Sequence, residues 1–532
     1  MKEKRLISVI CLFTAIAFLI ELNMVKIAVD EQYYSNAYNQ QYKELQIDEC
    51  RGDITDINFN KITNTTVQLK TLVTVQDKDL QQVFNVLEEY EKVDFYDNLE
   101  YRRNFIADIQ EIPGNRKTYK SEKRYTDFNI AQHLIGYIDG EGNGVSGLEK
   151  VFDEQLRDAK KADFLKLELN GYGEILSAEE ISKMRDTDKL PQMLTLTTDN
   201  TIQRLCEGIA KEYIPNGSVV VMESKTGKIK AMVSTPFYSA NNVAQALNQQ
   251  NSPLLNKALQ SYEPGSVIKP LWAAVLMENG YNPDRVYDCT GTITVNDHEY
   301  HCANNKAHGP VDMRQALTVS CNCYFINACR GNKARLLYEM AETTELGKAI
   351  QLTQEYFTKA GYFPTEDELK NAGQLASVSF GQGKILLTPV HVLAYINMFA
   401  NNGIYVQPQI VQGIYNAQTK ELIKNYYDYN AEQMISPKTA AAIKEMLKSV
   451  VEEGAMKRAK PDYLSAGGKT GTAQTGRYNE NGSEIFTAWF CGFYPYDNPQ
   501  YTICITMYNG GESTRTAAPV FKKICDSLYY LI

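Results

Sequence analysis

The chain has 532 residues, 44% of them hydrophobic and 22% charged, an ordinary globular composition with length for about two to four domains. A formal net charge of −9 and the lack of any Lys/Arg run argue against a nucleic-acid binder, which needs a basic face or stripe.

At the N-terminus Lys2, Lys4 and Arg5 precede an apolar stretch from Leu6 to Ile20 and a mixed segment holding Glu21, Asn23 and Lys26. This pattern predicts a basic cytoplasmic flank and a membrane-entering helix. Fifteen helical residues cover about 22 Å, short of the ~30 Å hydrocarbon core, so the span must borrow Leu22 to Val29 with Lys26 snorkelling. The positive-inside rule then places everything after about residue 30 outside the cytoplasmic membrane, in single-pass topology. A cleaved signal peptide is the alternative, since Ala15-Ile16-Ala17 has the small-x-small form; Phe18, Leu19 and Ile20 continue the apolar run past it and favour the anchor.

From Asp30 to about Tyr42 the chain is polar and reads as a juxtamembrane stalk. Residues 44 to 190 mix short β-like runs (TVQLKTLVTV, LKLELNGYGEIL) with amphipathic helical ones (LQQVFNVLEEYEKV), and read as scaffold. At Pro191 the pattern changes. LTLTTDNTIQRLCEGIAKEY predicts a strand and then a helix capped by Asp199. GSVVVMESKTGKIKAMVSTP predicts a hairpin around a Lys-Thr-Gly turn, and FTAWFCGFYP with QYTICITMYN a second strand pair around Asp497-Asn498. PVFKKICDSLYYL predicts a terminal helix. Strands at both ends, helices between and hairpin links imply an α/β (α+β) domain built on an antiparallel sheet with helices on its faces.

Eleven cysteines are present, one of them (Cys11) in the anchor. Cys289 and Cys302 bracket a hairpin, GTITVNDHEYH, with its turn at Asn296-Asp297, and His298, His301 and His308 lie nearby. Three states are open to these groups: a disulfide or redox-active pair, free structural thiols, or a metal site. The spacing C-x8-H-x2-H-C matches no finger or catalytic zinc pattern, so no metal is expected, and no cofactor either.

Chemistry concentrates in three places. YEPGSVIKPLWAAVLMENG predicts a Pro264-Gly265 turn opening a helix from about Ser266 to Glu278, on which Ser266 and Lys269 share a face. A serine there lies beside unpaired N–H groups able to hold an oxyanion, while the dipole and burial disfavour charge on the lysine. Ser320-Cys321-Asn322, after the helical run MRQALTV, supplies a second hydroxyl and an amide; Lys469-Thr470-Gly471-Thr472, before the last strand pair, supplies a cation, hydroxyls and a backbone open to close approach. In this order, S-x-x-K, S-x-N and K-T-G form the acyl-transferring signature of β-lactamases and penicillin-binding proteins. An earlier Lys225-Thr226-Gly227 precedes the nucleophile and reads as a solvated turn.

With these motifs the chain resembles the class B penicillin-binding proteins. The likeness extends to Gly217-Ser218-Val219-Val220-Val221-Met222, Asn256-Lys257-Ala258, Tyr262-Glu263-Pro264-Gly265-Ser266, Ser379-Phe380-Gly381-Gln382-Gly383 with Thr388-Pro389, and Asn401-Asn402-Gly403. Before residue 191 it rests on Arg51-Gly52-x-Ile54-x-Asp56 and Gly147-x-Glu149; where that pedestal motif usually ends Asp-Arg-Asn-Gly, this chain has Asp56-Ile57-Asn58-Phe59.

The resemblance implies residues 1–29 as flank and anchor, 30–190 as stalk and dimerisation-like pedestal, and 191–532 as the penicillin-binding transpeptidase domain. It implies a peptidoglycan D,D-transpeptidase that cross-links stem peptides through an acyl-Ser266 with release of D-Ala and is covalently inhibited by β-lactams. Lys269 takes the serine proton, and Ser320 relays one to the leaving amine with Lys469 nearby. The N–H groups of Ser266 and Thr472 form the oxyanion hole, and Thr470, Gly471 and Asn322 hold the substrate. A glycan polymerase of the SEDS family is the implied partner, because no glycosyltransferase domain is visible. The alternatives are a D,D-carboxypeptidase or β-lactamase-like hydrolase and a non-catalytic β-lactam sensor or scaffold. A class A β-lactamase would carry Glu-x-x-Leu-Asn, and here Glu366-x-x-Leu369 runs into Lys370 as a helix start after Pro364.

Overall fold

The computed structural model describes residues 2–29, 38, 41–74, 76–87, 89–101, 103–108, 118–158, 161–172, 174–184, 191–331, 333–453 and 457–532. Helix α1 (Lys2–Val29) has 28 residues, about 42 Å at 1.5 Å each, and runs unbroken through the segment that the apolar core had to borrow. By length and composition Lys4–Val29 can cross a membrane, with a mean hydropathy of 2.3. The expected stalk lies largely outside the described residues.

The chain divides into two compact units, the first comprising Met1–Arg51, Thr66–Lys123 and Asp158–Leu190. It holds two three-stranded antiparallel sheets. In one, Lys161–Leu169 lies between Tyr42–Cys50 and Ile175–Met184; in the other, Thr66–Val73 lies between Phe105–Asp108 and Thr118–Lys123. Two small apolar sets are buried: Ile47, Leu165 and Leu167 of the first sheet cluster with Tyr119 of the second, and Val73 and Ala107 of the second cluster with Val83, Leu87 and Phe95 of the helical segments between its strands.

The second unit comprises Gly52–Thr65, Arg124–Arg157 and Pro191–Ile532. The strand Asp53–Thr55 pairs in parallel with Gln192–Leu196. The turn after it is organised by Asp56, whose carboxylate accepts from the N–H groups of Asn58 (2.9 Å), Asn60 (2.8 Å) and Asn200 (3.0 Å). Phe59 stands there with φ 64°, in the left-handed region that costs a non-glycine residue roughly 1–2 kcal/mol, which accounts for the glycine usual at this position. Its ring packs edge-on to Tyr415 at 5.2 Å, a contact glycine cannot make. Gly147 (φ 59°) begins a turn that carries Glu149 into the interior, where Arg124 Nη2 (2.7 Å), Arg124 Nε (2.8 Å) and the Tyr125 hydroxyl (2.8 Å) meet one carboxylate oxygen.

The central sheet of this unit has five antiparallel strands, β1 (Gly217–Glu223), β2 (Ile229–Thr235), β3 (Gly467–Tyr478), β4 (Glu484–Tyr494) and β5 (Tyr501–Tyr508), in the order β2-β1-β5-β4-β3. Both faces are covered, so β1 is buried at nearly every position instead of alternating. Val219 and Val221 face a core that also contains Ile202, Cys206 and Ala210 of α2 (Asn200–Tyr213). Asp199 caps α2 as expected, accepting from the N–H groups of Thr201 (2.8 Å) and Ile202 (3.3 Å). Val220 and Met222 face the opposite core, with α3 (Lys269–Glu278), α4 (Met313–Thr318), α5 (Asn322–Ala328) and α6 (Pro389–Ala400). The terminal helix, α7 (Ala517–Leu528), packs its Phe521 on Phe490 of β4 with ring centroids 4.3 Å apart. Both expected strand pairs and the terminal helix are present.

Candidate active site

Ser266 does not open an α-helix as its spacing suggested. It lies in a 3₁₀ turn, Gly265–Ile268, and α3 begins at Lys269. Pro270 explains the difference: an α-helical bond to the Ser266 carbonyl would come from the N–H of residue 270, which proline lacks, so the Lys269 N–H takes that carbonyl instead in the tighter pattern. Neighbouring backbones fix this turn. The Gly265 N–H (φ 57°) donates to the Gly381 carbonyl at 2.9 Å, and a Cβ on Gly381 would lie 1.9 Å from the Gly265 oxygen. A Cβ on Gly471 would meet the Pro264 oxygen at 2.7 Å and the Val267 nitrogen at 3.2 Å, so strand β3 approaches the backbone on either side of Ser266 as closely as only glycine permits. The Tyr395 hydroxyl donates to the Val267 carbonyl (2.9 Å) and Trp489 Nε1 to the Glu263 carbonyl (2.9 Å).

Two lysines of very different sequence position meet beside this turn. Lys269 Nζ donates to Asn322 Oδ1 (2.7 Å) and the Ser320 carbonyl (2.8 Å) and lies 3.4 Å from Ser320 Oγ; Lys469 Nζ reaches the same Oγ at 3.0 Å and the Thr470 carbonyl at 3.2 Å. Both side chains are fully buried. Burial drives the Lys269 ammonium down from 10.5 to about 8, and Lys469 falls well below its ordinary value through burial and the charge of Lys269. For Lys269 this corresponds to about 3 kcal/mol in favour of the neutral amine. A neutral amine has two hydrogens, and the Asn322 and Ser320 oxygens accept both, which leaves its lone pair for a proton.

Ser320 sits at the corner between α4 and α5 with φ 57°, a strained position for a β-substituted residue. Asn322 opens α5 and donates through Nδ2 to the His301 carbonyl at 2.9 Å, so its amide is oriented at both ends. On β3, Thr470 is buried and Thr472 exposed, and Thr472 Oγ1 meets Ser513 Oγ at 2.9 Å. Ser513, Tyr395 and Trp489 shape the site without belonging to a recognisable motif. The earlier triplet Lys225-Thr226-Gly227 forms the β1–β2 turn, packed by Tyr427, whose hydroxyl donates to the Thr226 carbonyl at 2.9 Å. Thus the structure gathers Lys269, Ser320, Asn322, Lys469 and Thr470 into one hydrogen-bonded group, with Ser266 and Gly471 on the adjoining turn and strand.

A family model for the penicillin-binding protein transpeptidase domain matches residues 217–526. Stage V sporulation protein D of Bacillus subtilis is 27% identical, over 99% of this chain and 85% of its own length. A peptidoglycan D,D-transpeptidase, MrdA, of Haemophilus influenzae is 28% identical over 75% of this chain and 64% of its own length. Among solved structures, a chain of a peptidoglycan synthase complex that coordinates polymerization and crosslinking superposes with a TM-score of 0.71 at 23% identity, covering 99% of this chain and 98% of the other.

Proposed function

This chain belongs to the penicillin-binding protein transpeptidase family, and from that premise we propose that Ser266, Lys269, Ser320 and Lys469 carry its serine-type D,D-transpeptidase chemistry on peptidoglycan. The observation that carries the assignment is the convergence of two buried, charge-disfavoured lysines on one hydroxyl, Ser320 Oγ, beside the Ser266 turn.

In the first half-reaction Ser266 Oγ attacks the carbonyl carbon of the penultimate D-Ala and passes its proton to neutral Lys269. The oxyanion forms between the N–H groups of Ser266 and Thr472, with Asn322 and Thr470 holding the peptide. The bond to the terminal D-Ala nitrogen then breaks, and Ser320, hydrogen-bonded to both lysines, delivers a proton to that leaving amine. In the second half an amine of another stem peptide attacks the ester, forms the cross-link and loses a proton as Ser266 Oγ regains one. A β-lactam enters by the same attack and keeps its leaving group tethered.

The basic flank and α1 support a single-pass anchor in the cytoplasmic membrane with the catalytic unit outside. A membrane-anchored cross-linker needs glycan strands made elsewhere, which supports a SEDS-family polymerase as partner, met through the anchor and the segment up to about residue 190. Exchanging α1 for an unrelated span is expected to impair function in cells; full complementation without co-purification of a SEDS protein would remove that partner. The reaction is tested with a D-Ala-D-Ala-terminated peptide and an acceptor amine. Release of D-Ala with formation of the new amide, lost in Ser266→Ala, is expected, whereas release with hydrolysis alone would make the protein a carboxypeptidase.

A further inference from the structure

The corner that presents Ser320 and Asn322 is also one wall of a second cluster. Cys289 ends a strand (Tyr287–Cys289), Cys302 follows the hairpin strand His298–His301, His308 lies in the loop returning to Gly309–Val311, and Cys321 is the middle residue of the Ser-x-Asn motif. Their sulfur and ring-nitrogen atoms all lie within 4.8 Å of one another. Cys289 Sγ is 3.7 Å from Cys302 Sγ and 3.5 Å from His308 Nδ1, and Cys302 Sγ is 3.8 Å from Cys321 Sγ. None of these pairs is at the ~2.05 Å of a disulfide.

These three separations match the edges of a tetrahedral metal site. With zinc–sulfur bonds of about 2.3 Å and zinc–nitrogen bonds of about 2.0–2.1 Å, tetrahedral angles place sulfurs roughly 3.8 Å apart and sulfur and nitrogen roughly 3.5–3.6 Å apart. The three cysteines are buried and His308 is half-buried, so the set is closed on the protein side, as a structural zinc site is. Independent backbone bonds hold the cradle: the Cys302 N–H donates to the Gly291 carbonyl (2.9 Å) and the His308 N–H to the Cys289 carbonyl (3.0 Å). We propose that Cys289, Cys302, His308 and Cys321 bind one zinc ion, which ties the 292–301 hairpin to the Ser320-Cys321-Asn322 corner.

Zinc binding displaces a proton from each of the three thiols and leaves no bond to an outside ligand. It also spares three crowded thiols from oxidation in an extracytoplasmic compartment. Cys323, whose Sγ is 3.5 Å from that of Cys302, lies just outside the ligand set. The mechanical consequence concerns Ser320: its left-handed backbone is flanked by a ligand on one side, while Asn322 is already tied to His301, so the ion holds the acceptors of Lys269 in place. This consequence rests on the transpeptidase reading; zinc binding itself does not.

The test uses the full-length chain in detergent, purified without chelator or a histidine tag. Elemental analysis is expected to find one zinc per chain in wild type and in Ser266→Ala, with a fall of at least about tenfold in Cys302→Ser and His308→Ala. After zinc removal under reducing conditions, cobalt(II) is expected to give wild type a thiolate-to-cobalt charge-transfer band with tetrahedral d–d bands. The cobalt spectrum needs no variant to fold. Wild type that is free of zinc and gives no such spectrum would overturn the proposal, as would a mapped disulfide within the cluster that yields no cobalt site on reduction. Zinc retained by Ser266→Ala alongside lost acylation separates this site from the catalytic reading.

Discussion

Replacing Asn322 with Asp tests the base assigned to Lys269. Asn322 Oδ1 lies 2.7 Å from Lys269 Nζ in a buried site, where the amine titrates near 8 because burial penalises its charged form. Acylation that needs the neutral amine rises with pH and levels off above that value. From pH 8 to pH 6 the neutral fraction drops from about one half to about one hundredth, so the acylation rate constant is expected to fall about 50-fold. A carboxylate at position 322 opposes that burial term and raises the lysine by roughly 1–3 units, which moves the rising limb upward and slows acylation at pH 7 by about 10-fold or more. Stopped-flow acylation by a chromogenic cephalosporin from pH 5.5 to 10 measures both limbs, and Asn322→Ala controls for loss of the amide. A flat wild-type profile, or an Asp variant whose limb stays where the Ala variant's lies, would refute Lys269 as the base.

Glu149→Ala removes the fully buried carboxylate that Arg124 meets at 2.7 Å and is expected to cost about 3–5 kcal/mol, read as lower thermal or denaturant stability. Gly381→Ala places a Cβ 1.9 Å from the Gly265 oxygen at a backbone φ of 84°. It is expected to slow penicillin labelling by at least about 10-fold, because a shift of the order of 1 Å in a catalytic group costs about that much or more. The penicilloyl adduct, followed by intact mass after removal of free drug, is expected to persist for many minutes. Deacylation by water needs a positioned base, whose loss is worth about 10²–10⁴ in rate. The pattern offered only Glu366 for that role, and it lies in a short helix where Lys370 pairs with Asp367 at 2.6 Å. A lifetime of seconds would favour a hydrolase.

The parts of the fold that depend on local chemistry were readable in the sequence. Runs such as GSVVVME and TICITMY are β-branched and bounded by turn residues, so β1, β5 and their hairpin partners follow from composition, and Asp199 announces its helix. The motif order separated Lys469 from the Lys225 turn, although the two triplets are identical. Features that depend on contacts between distant segments were not readable. Nothing in Asp53-Ile54-Thr55 indicates a partner near residue 194, and Ser320 gives no sign of its left-handed backbone. The helix start at Ser266 failed because spacing registers a shared face and cannot register the carbonyl that Pro270 leaves to Lys269. The cysteines show the same limit: linear spacing paired Cys289 with Cys302 and two histidines, while folding adds Cys321 from the catalytic motif and brings His308 to Cys289, leaving His298 and His301 on the outer hairpin strand.

The most direct test of the central claim is to label the purified full-length protein with penicillin and locate the adduct by peptide mass spectrometry. One penicilloyl group on the peptide containing Ser266, absent from Ser266→Ala and unchanged in Lys225→Ala, is the expected result; labelling that survives Ser266→Ala, or maps to another serine, would contradict it.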